Sequence, residues 1–120
     1  MKKNVRKEGF TLIEVIAVLL VVAILAAVAI PKFMSLANDA QQKALEGALA
    51  AGLSQCSLAY GKLCLANDQE PSATQVATEA GNNPPGGDYT YAFAASGSNV
   101  LVTATAPNGT DNKTKTWYMP

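Results

Sequence analysis

Lys7-Glu8-Gly9-Phe10-Thr11-Leu12-Ile13-Glu14 is the stretch on which the fold turns. A basic stub ends at a glycine, and a long apolar run starts at the next residue. Phe10 to Ile30 is twenty-one residues, almost all Leu, Ile, Val and Ala, with Glu14 as its single charge. As a helix such a run spans about 30 Å, the thickness of a bilayer core. Lys2, Lys3, Arg6 and Lys7 precede it, and positive charge on that flank places the flank in the cytoplasm and the rest of the chain outside. A charge near the centre of a span costs roughly 2.5 to 3.5 kcal/mol, so ionisable groups inside spans are usually functional. Glu14 reads as a group that sits in a membrane first and finds its partner when the segment packs against copies of itself.

The junction resembles the class III signal of type IV pilins and related pseudopilins, over roughly Lys2 to Leu36. The resemblance implies that a membrane prepilin peptidase cuts between Gly9 and Phe10 on the cytoplasmic side. Phe10 then becomes the first mature residue and is N-methylated. The nine-residue leader resembles the short leaders of the type IVa group. Glu14 matches the glutamate that pairs with the N-terminal amine of a neighbouring subunit, and Pro31 matches a proline where the assembled helix can lose regularity. A buried carboxylate needs a partner, and a newly exposed cationic amine can supply one. Two plainer readings stay open: an ordinary secretory signal cleaved near Ala27-Val28-Ala29, and a simple single-span anchor. Both leave Glu14 and the Gly9–Phe10 junction unexplained.

The 120 residues leave room for one small domain beyond the anchor. Nine Lys/Arg balance nine Asp/Glu; cleavage after Gly9 removes four of the former and one of the latter, leaving five against eight. A mildly acidic mature form does not support a nucleic-acid surface. The absence of histidine removes the usual general base and the commonest metal ligand. No nucleophile–base pair, phosphate loop or clustered metal ligand is present, so catalysis and a cofactor are not expected.

Beyond Pro31, apolar residues recur at Phe33, Leu36, Ala37, Ala40, Ala44, Ala48, Leu49, Leu53, Cys56 and Tyr60, in steps that describe one helix face. The pattern predicts one helix from about Thr11 to Tyr60, about 75 Å long. Its first half is apolar all round. Its second half is amphipathic and needs a sheet to cover one face. Ala17, Ala23, Ala26, Ala27, Ala29, Ala48, Ala51 and Gly52 are small enough for close helix–helix approach, and alanine's helix propensity explains most of them equally well. Gly61 is the expected C-terminal cap. Cys56 and Cys64 lie too far apart for a bridge on a continuous helix, so a disulfide requires a turn near Gly61; a bridge and two reduced thiols both remain open. Many pilins close a loop near the C-terminus with a disulfide, and this chain has no such pair.

Asn82-Asn83-Pro84-Pro85-Gly86-Gly87 breaks the chain between helix and sheet, with a short helical turn expected at Ala73–Ala80. Tyr89–Ala94, Val100–Thr105 and Lys115–Met119 read as strands, with turns at Ser96–Asn99 and Pro107–Asn112. The expected fold is therefore α+β: a long N-terminal helix, half membrane and half amphipathic, packed on an antiparallel sheet of about three strands. The expected segments are a leader (1–9), a membrane and filament-core helix (10–31) and an extracytoplasmic head (32–120). Asn108-Gly109-Thr110 and Asn112-Lys113-Thr114 fit an N-glycosylation pattern, and Asp88 and Asp111 could contribute to a calcium site without any recognisable oxygen-ligand loop; both patterns are weak.

The resemblance implies a structural subunit of a bacterial type IV pilus-like filament, held in the inner membrane as a single-pass precursor and then assembled into an extracellular helical homo-oligomer. Its partners would be the prepilin peptidase, the inner-membrane assembly platform and further copies of itself, with no nucleic acid. A periplasmic pseudopilin of type II secretion is the nearest alternative. A secreted binding domain behind a conventional signal peptide is an alternative of another class.

Overall fold

The stretch that starts at Leu12 winds, in a computed structural model describing Gly9 and residues 11–120, into one helix, α1 (Leu12–Asn67). The described residues fall into two units that divide between Asp39 and Ala40. In the first, α1 exposes its large side chains on every side: Leu12 is 77% exposed, Leu19 61% and Val28 69%. Pro31 lies inside α1, which continues past it.

The second unit builds its own core. There α1 buries Leu45, Ala48, Leu49, Gly52, Cys56 and Ala59, positions three or four apart and hence on one face. They cover a three-stranded antiparallel sheet of order β1-β2-β3, with β1 at Thr90–Ser96, β2 at Asn99–Thr105 and β3 at Asn112–Trp117. In β2, Val100, Val102 and Ala104 are fully buried while Leu101, Thr103 and Thr105 are only partly so, as the alternation of a one-sided strand requires. On the other face of the sheet the Thr103 and Thr114 hydroxyls are 2.8 Å apart across β2 and β3. Gly97 turns β1 into β2 at φ +61, the first central position of a two-residue hairpin, where a positive φ is required.

A second helix, α2 (Ala73–Asn82), supplies Ala73, Val76, Ala77 and Ala80 to the same core. Ser72 and Gln75 form a capping box at its start: Ser72 Oγ accepts from the Gln75 N–H at 3.3 Å and Gln75 Oε1 from the Ser72 N–H at 2.8 Å. Lys62 on α1 pairs with Glu79 on α2. Lys113 Nζ on β3 reaches Glu46 on α1 at 2.8 Å, and Trp117 Nε1 donates to Ser57 Oγ at 3.0 Å with its ring 5.9 Å from that of Tyr60.

Three expectations need correction: the end of the long helix, the turn at Ala73–Ala80 and the start of the third strand; the cysteine and small-residue alternatives are narrowed with them. The helix does not end at Gly61. It runs on to Asn67, carrying Leu63 onto the core, and Asp68 at φ +49 takes the left-handed position expected of the glycine; packing outweighs the cost of a mid-helix glycine, about 1 kcal/mol. Because the helix continues, Cys56 and Cys64 sit eight residues apart on it, about 12 Å of rise, and both thiols are free rather than bridged. Gly52 serves intrachain packing: a Cβ there would lie 2.8 Å from Val102 Cγ1 and 3.2 Å from Tyr91 Cδ1, so the glycine lets α1 approach its own sheet. The short turn expected at Ala73–Ala80 is a full helix to Asn82. The third strand starts three residues earlier than the sequence pattern implies, pairing Asn112 with Thr105.

Candidate functional site

The site is the start of α1. Thr11 is the N-cap: its carbonyl accepts the first helical hydrogen bond, from Val15 N–H at 3.2 Å. Its Oγ1 accepts from Glu14 N–H at 3.3 Å, and Glu14 Oε2 accepts in return from Thr11 N–H at 3.0 Å. Two of the orphan amides at the helix end are thus satisfied reciprocally, which is the capping-box arrangement. A carboxylate at this end also meets the positive pole of the helix dipole. Glu14 edges a shallow hollow of about 180 Å³ with Val15, Val18 and Leu19. An acid is thereby held at a fixed place beside bare apolar surface, one residue past the Thr11-Leu12-Ile13 turn.

The Thr-x-x-Glu spacing ahead of an apolar run is the sequence signal for this box. Of the other expected site residues, Gly9 is exposed and has open space around its Cα. Phe10 and the leader residues Met1–Glu8 lie outside the described residues. Pro31 is in α1, seventeen positions beyond Glu14, and is not brought to it.

In the second unit the titratable groups serve the fold. Lys113 and Lys43 beside Glu46 hold its carboxyl below the usual range. Burial pushes the Cys56 thiol up to about 11, which makes it unreactive. Burial and a hydrogen bond with Cys64 raise Tyr60, and burial raises Tyr91. Among the described residues no three His, Cys, Asp or Glu side chains gather as a metal site. Asp111 is engaged by Asn108 instead.

Residues 4–30 match the family model of the prokaryotic N-terminal methylation motif, the class III signal of type IV pilins and pseudopilins. The match includes Gly9, Phe10, Thr11 and Glu14. Comparison with curated proteins and with solved structures gives no match. The motif, with a long N-terminal helix and a small antiparallel sheet behind it, supports a type IV pilin or pseudopilin. Among the described residues one helix, near the N-terminus, is long and apolar enough to cross a membrane, which fits a membrane-anchored precursor.

Proposed function

We infer that the chain is the structural subunit, a prepilin, of a bacterial type IV pilus-like filament. Residues 1–9 are the leader, 10–31 the membrane and filament-core helix, and 32–120 the head. The observation that carries this reading is the first half of α1: apolar side chains exposed on all sides, with one carboxylate fixed at its start. Such a surface is stable in lipid, or against identical helices once it leaves lipid.

Prepilin peptidase cuts Gly9–Phe10 in the inner membrane, and Phe10 is methylated on its new amine. The Glu14 carboxylate, already aimed by Thr11, takes the amine of a neighbouring subunit and sets the axial register. The assembly platform draws subunits from the bilayer, helices bundle, and the heads form the outer surface. Pro31, which has no amide hydrogen to donate, is where the helix can open as it leaves the membrane.

The test separates capping from charge. Glu14→Gln keeps an oxygen acceptor for Thr11 N–H and removes the negative charge; Glu14→Ala removes both. Native cells are sheared, and the sheared and membrane fractions are analysed by intact mass and N-terminal peptide. The expected wild-type product is sheared protein starting at N-methylated Phe10. Both variants are expected in the membrane fraction at normal levels, with sheared protein reduced more than about tenfold, the least that unpairing a buried charge should cost. Normal filament yield from Glu14→Gln would remove the ion-pair role. Processed protein confined to the membrane would move the assignment to a secretion pseudopilin, and a start near Ala29 would overturn the filament reading.

A further inference from the structure

The turn joining β2 to β3, Ala106-Pro107-Asn108-Gly109-Thr110-Asp111, takes part in none of the roles above. Asn108-Gly109 is the dipeptide most open to spontaneous deamidation, because glycine has no side chain to screen its amide nitrogen. In the fold both partners of that reaction are engaged. Gly109 N–H donates to the Ala106 carbonyl at 2.9 Å, and the turn is closed by Ala106 N–H donating to the Asp111 carbonyl at 2.8 Å. Asn108 Oδ1 accepts from the N–H groups of Thr110 at 3.1 Å and Asp111 at 3.2 Å, and Nδ2 donates to Asp111 Oδ2 at 2.8 Å. Pro107 presets the turn, and Gly109 sits at φ +74, where other residues are strained.

We propose that Asn108 is a fold-gated deamidation site, unreactive while this turn is closed and released when it opens. In the reaction the Gly109 nitrogen, having lost its proton, attacks Asn108 Cγ. The Cγ–Nδ2 bond breaks and ammonia leaves with that proton, giving a five-membered succinimide. Water then opens the ring at either carbonyl to leave aspartate or isoaspartate. The closed turn opposes this because the nitrogen is committed to Ala106 and reorienting the carboxamide breaks three hydrogen bonds. The product also has no Nδ2 donor. Its carboxylate faces Asp111 across the former 2.8 Å contact, and the repulsion between like charges keeps the turn from reclosing as before. Asn108 and Asp111 border, with Ala40, Ala44 and Tyr89, a hollow of about 400 Å³, so conversion places a new negative charge on its rim.

The full chain in detergent micelles is held at mildly alkaline pH, folded and in denaturant, and the Asn108 peptide is followed by mass for amide-to-acid conversion and isoaspartate. The expected native rate is at least about tenfold below the denatured rate, because opening must precede attack. Asp111→Ala removes the acceptor for Nδ2, and with its sheet signal intact it is expected to bring the native rate towards the denatured one. Equal wild-type rates in the two conditions would overturn the proposal, as would no conversion in denaturant.

Discussion

The two halves of α1 share leucine and alanine but treat their apolar side chains oppositely. Before Asp39, leucines, isoleucines and valines stay open to the surroundings; after Ala40, one face is closed by the chain's own sheet and by α2. The first half has too many large apolar side chains for water, which is what the proposed filament reading answers with a bilayer and then with identical helices. The second half alternates small and large apolar residues with Gln41, Gln42, Glu46 and Gln55, so one stripe suffices and the chain supplies its cover. A single helix thus carries both an uncovered apolar surface and one covering layer of a finished domain.

The largest break in that comparison comes from one substitution made twice. Leu45 is 1% exposed, and Leu45→Ala is expected to cost about 2–5 kcal/mol. For a head of this size that lowers its melting temperature by roughly 10 °C or more. Leu19→Ala in the first half is expected to leave head melting unchanged. Near-ultraviolet circular dichroism of Trp117, which packs on Tyr60, reads the head alone in micelles. Equal losses from the two variants would mean that the halves are not energetically separate.

What the sequence made legible follows the same division. Composition alone identifies the first half, because a run of apolar residues with one acid has few physical solutions. The alternation of Val100-Leu101-Val102-Thr103-Ala104-Thr105 likewise identifies the central strand and its two faces. The end of α1 was hidden because Gly61 is a local stop signal, whereas Leu63 is a tertiary reason to continue. The early start of β3 was hidden because Asn112-Lys113-Thr114-Lys115-Thr116 carries no apolar pattern; pairing to β2 and the Lys113–Glu46 contact place it. The two capping boxes, Thr11–Glu14 and Ser72–Gln75, follow the usual spacing but emerge as boxes only from their backbone hydrogen bonds. At the site, Glu14's charge was visible in the sequence, while its fixed orientation emerged only with the backbone.

Glycines sharpen the comparison within the second half. Gly47 has nothing within 4 Å of an added Cβ, so Gly47→Ala is expected to stabilise by up to about 1 kcal/mol through helix propensity. Gly52→Ala has the same propensity gain but drives its Cβ to 2.8 Å from Val102 Cγ1, and overpacking of this kind costs about 1–3 kcal/mol. Opposite signs are therefore expected for one substitution five residues apart. Thermal melts of the two variants check it, and a stabilised Gly52→Ala would mean that α1 is not seated on the sheet as closely as described.

The smallest effect tests the charged rim that joins the helix to the sheet. Lys113 is the first cause of the lowered Glu46 pKa and Lys43 the second. A carboxylate lowered in the folded state contributes stability above its unfolded pKa, near 4.5, and that contribution is lost as pH falls through the lowered value. Wild type and Glu46→Gln are therefore expected to differ most in melting temperature at neutral pH and to converge in acid. Added salt narrows the gap, because Glu46 is exposed to solvent and Lys113 is partly so. Lys43→Ala should shrink the gap less than Lys113→Ala, since Lys43 pairs with Glu46 within one turn of α1 whereas Lys113 spans from β3. If the gap persists unchanged to strong acid, Glu46 acts through its packing rather than its charge, and the two elements are held together by the apolar stripe alone.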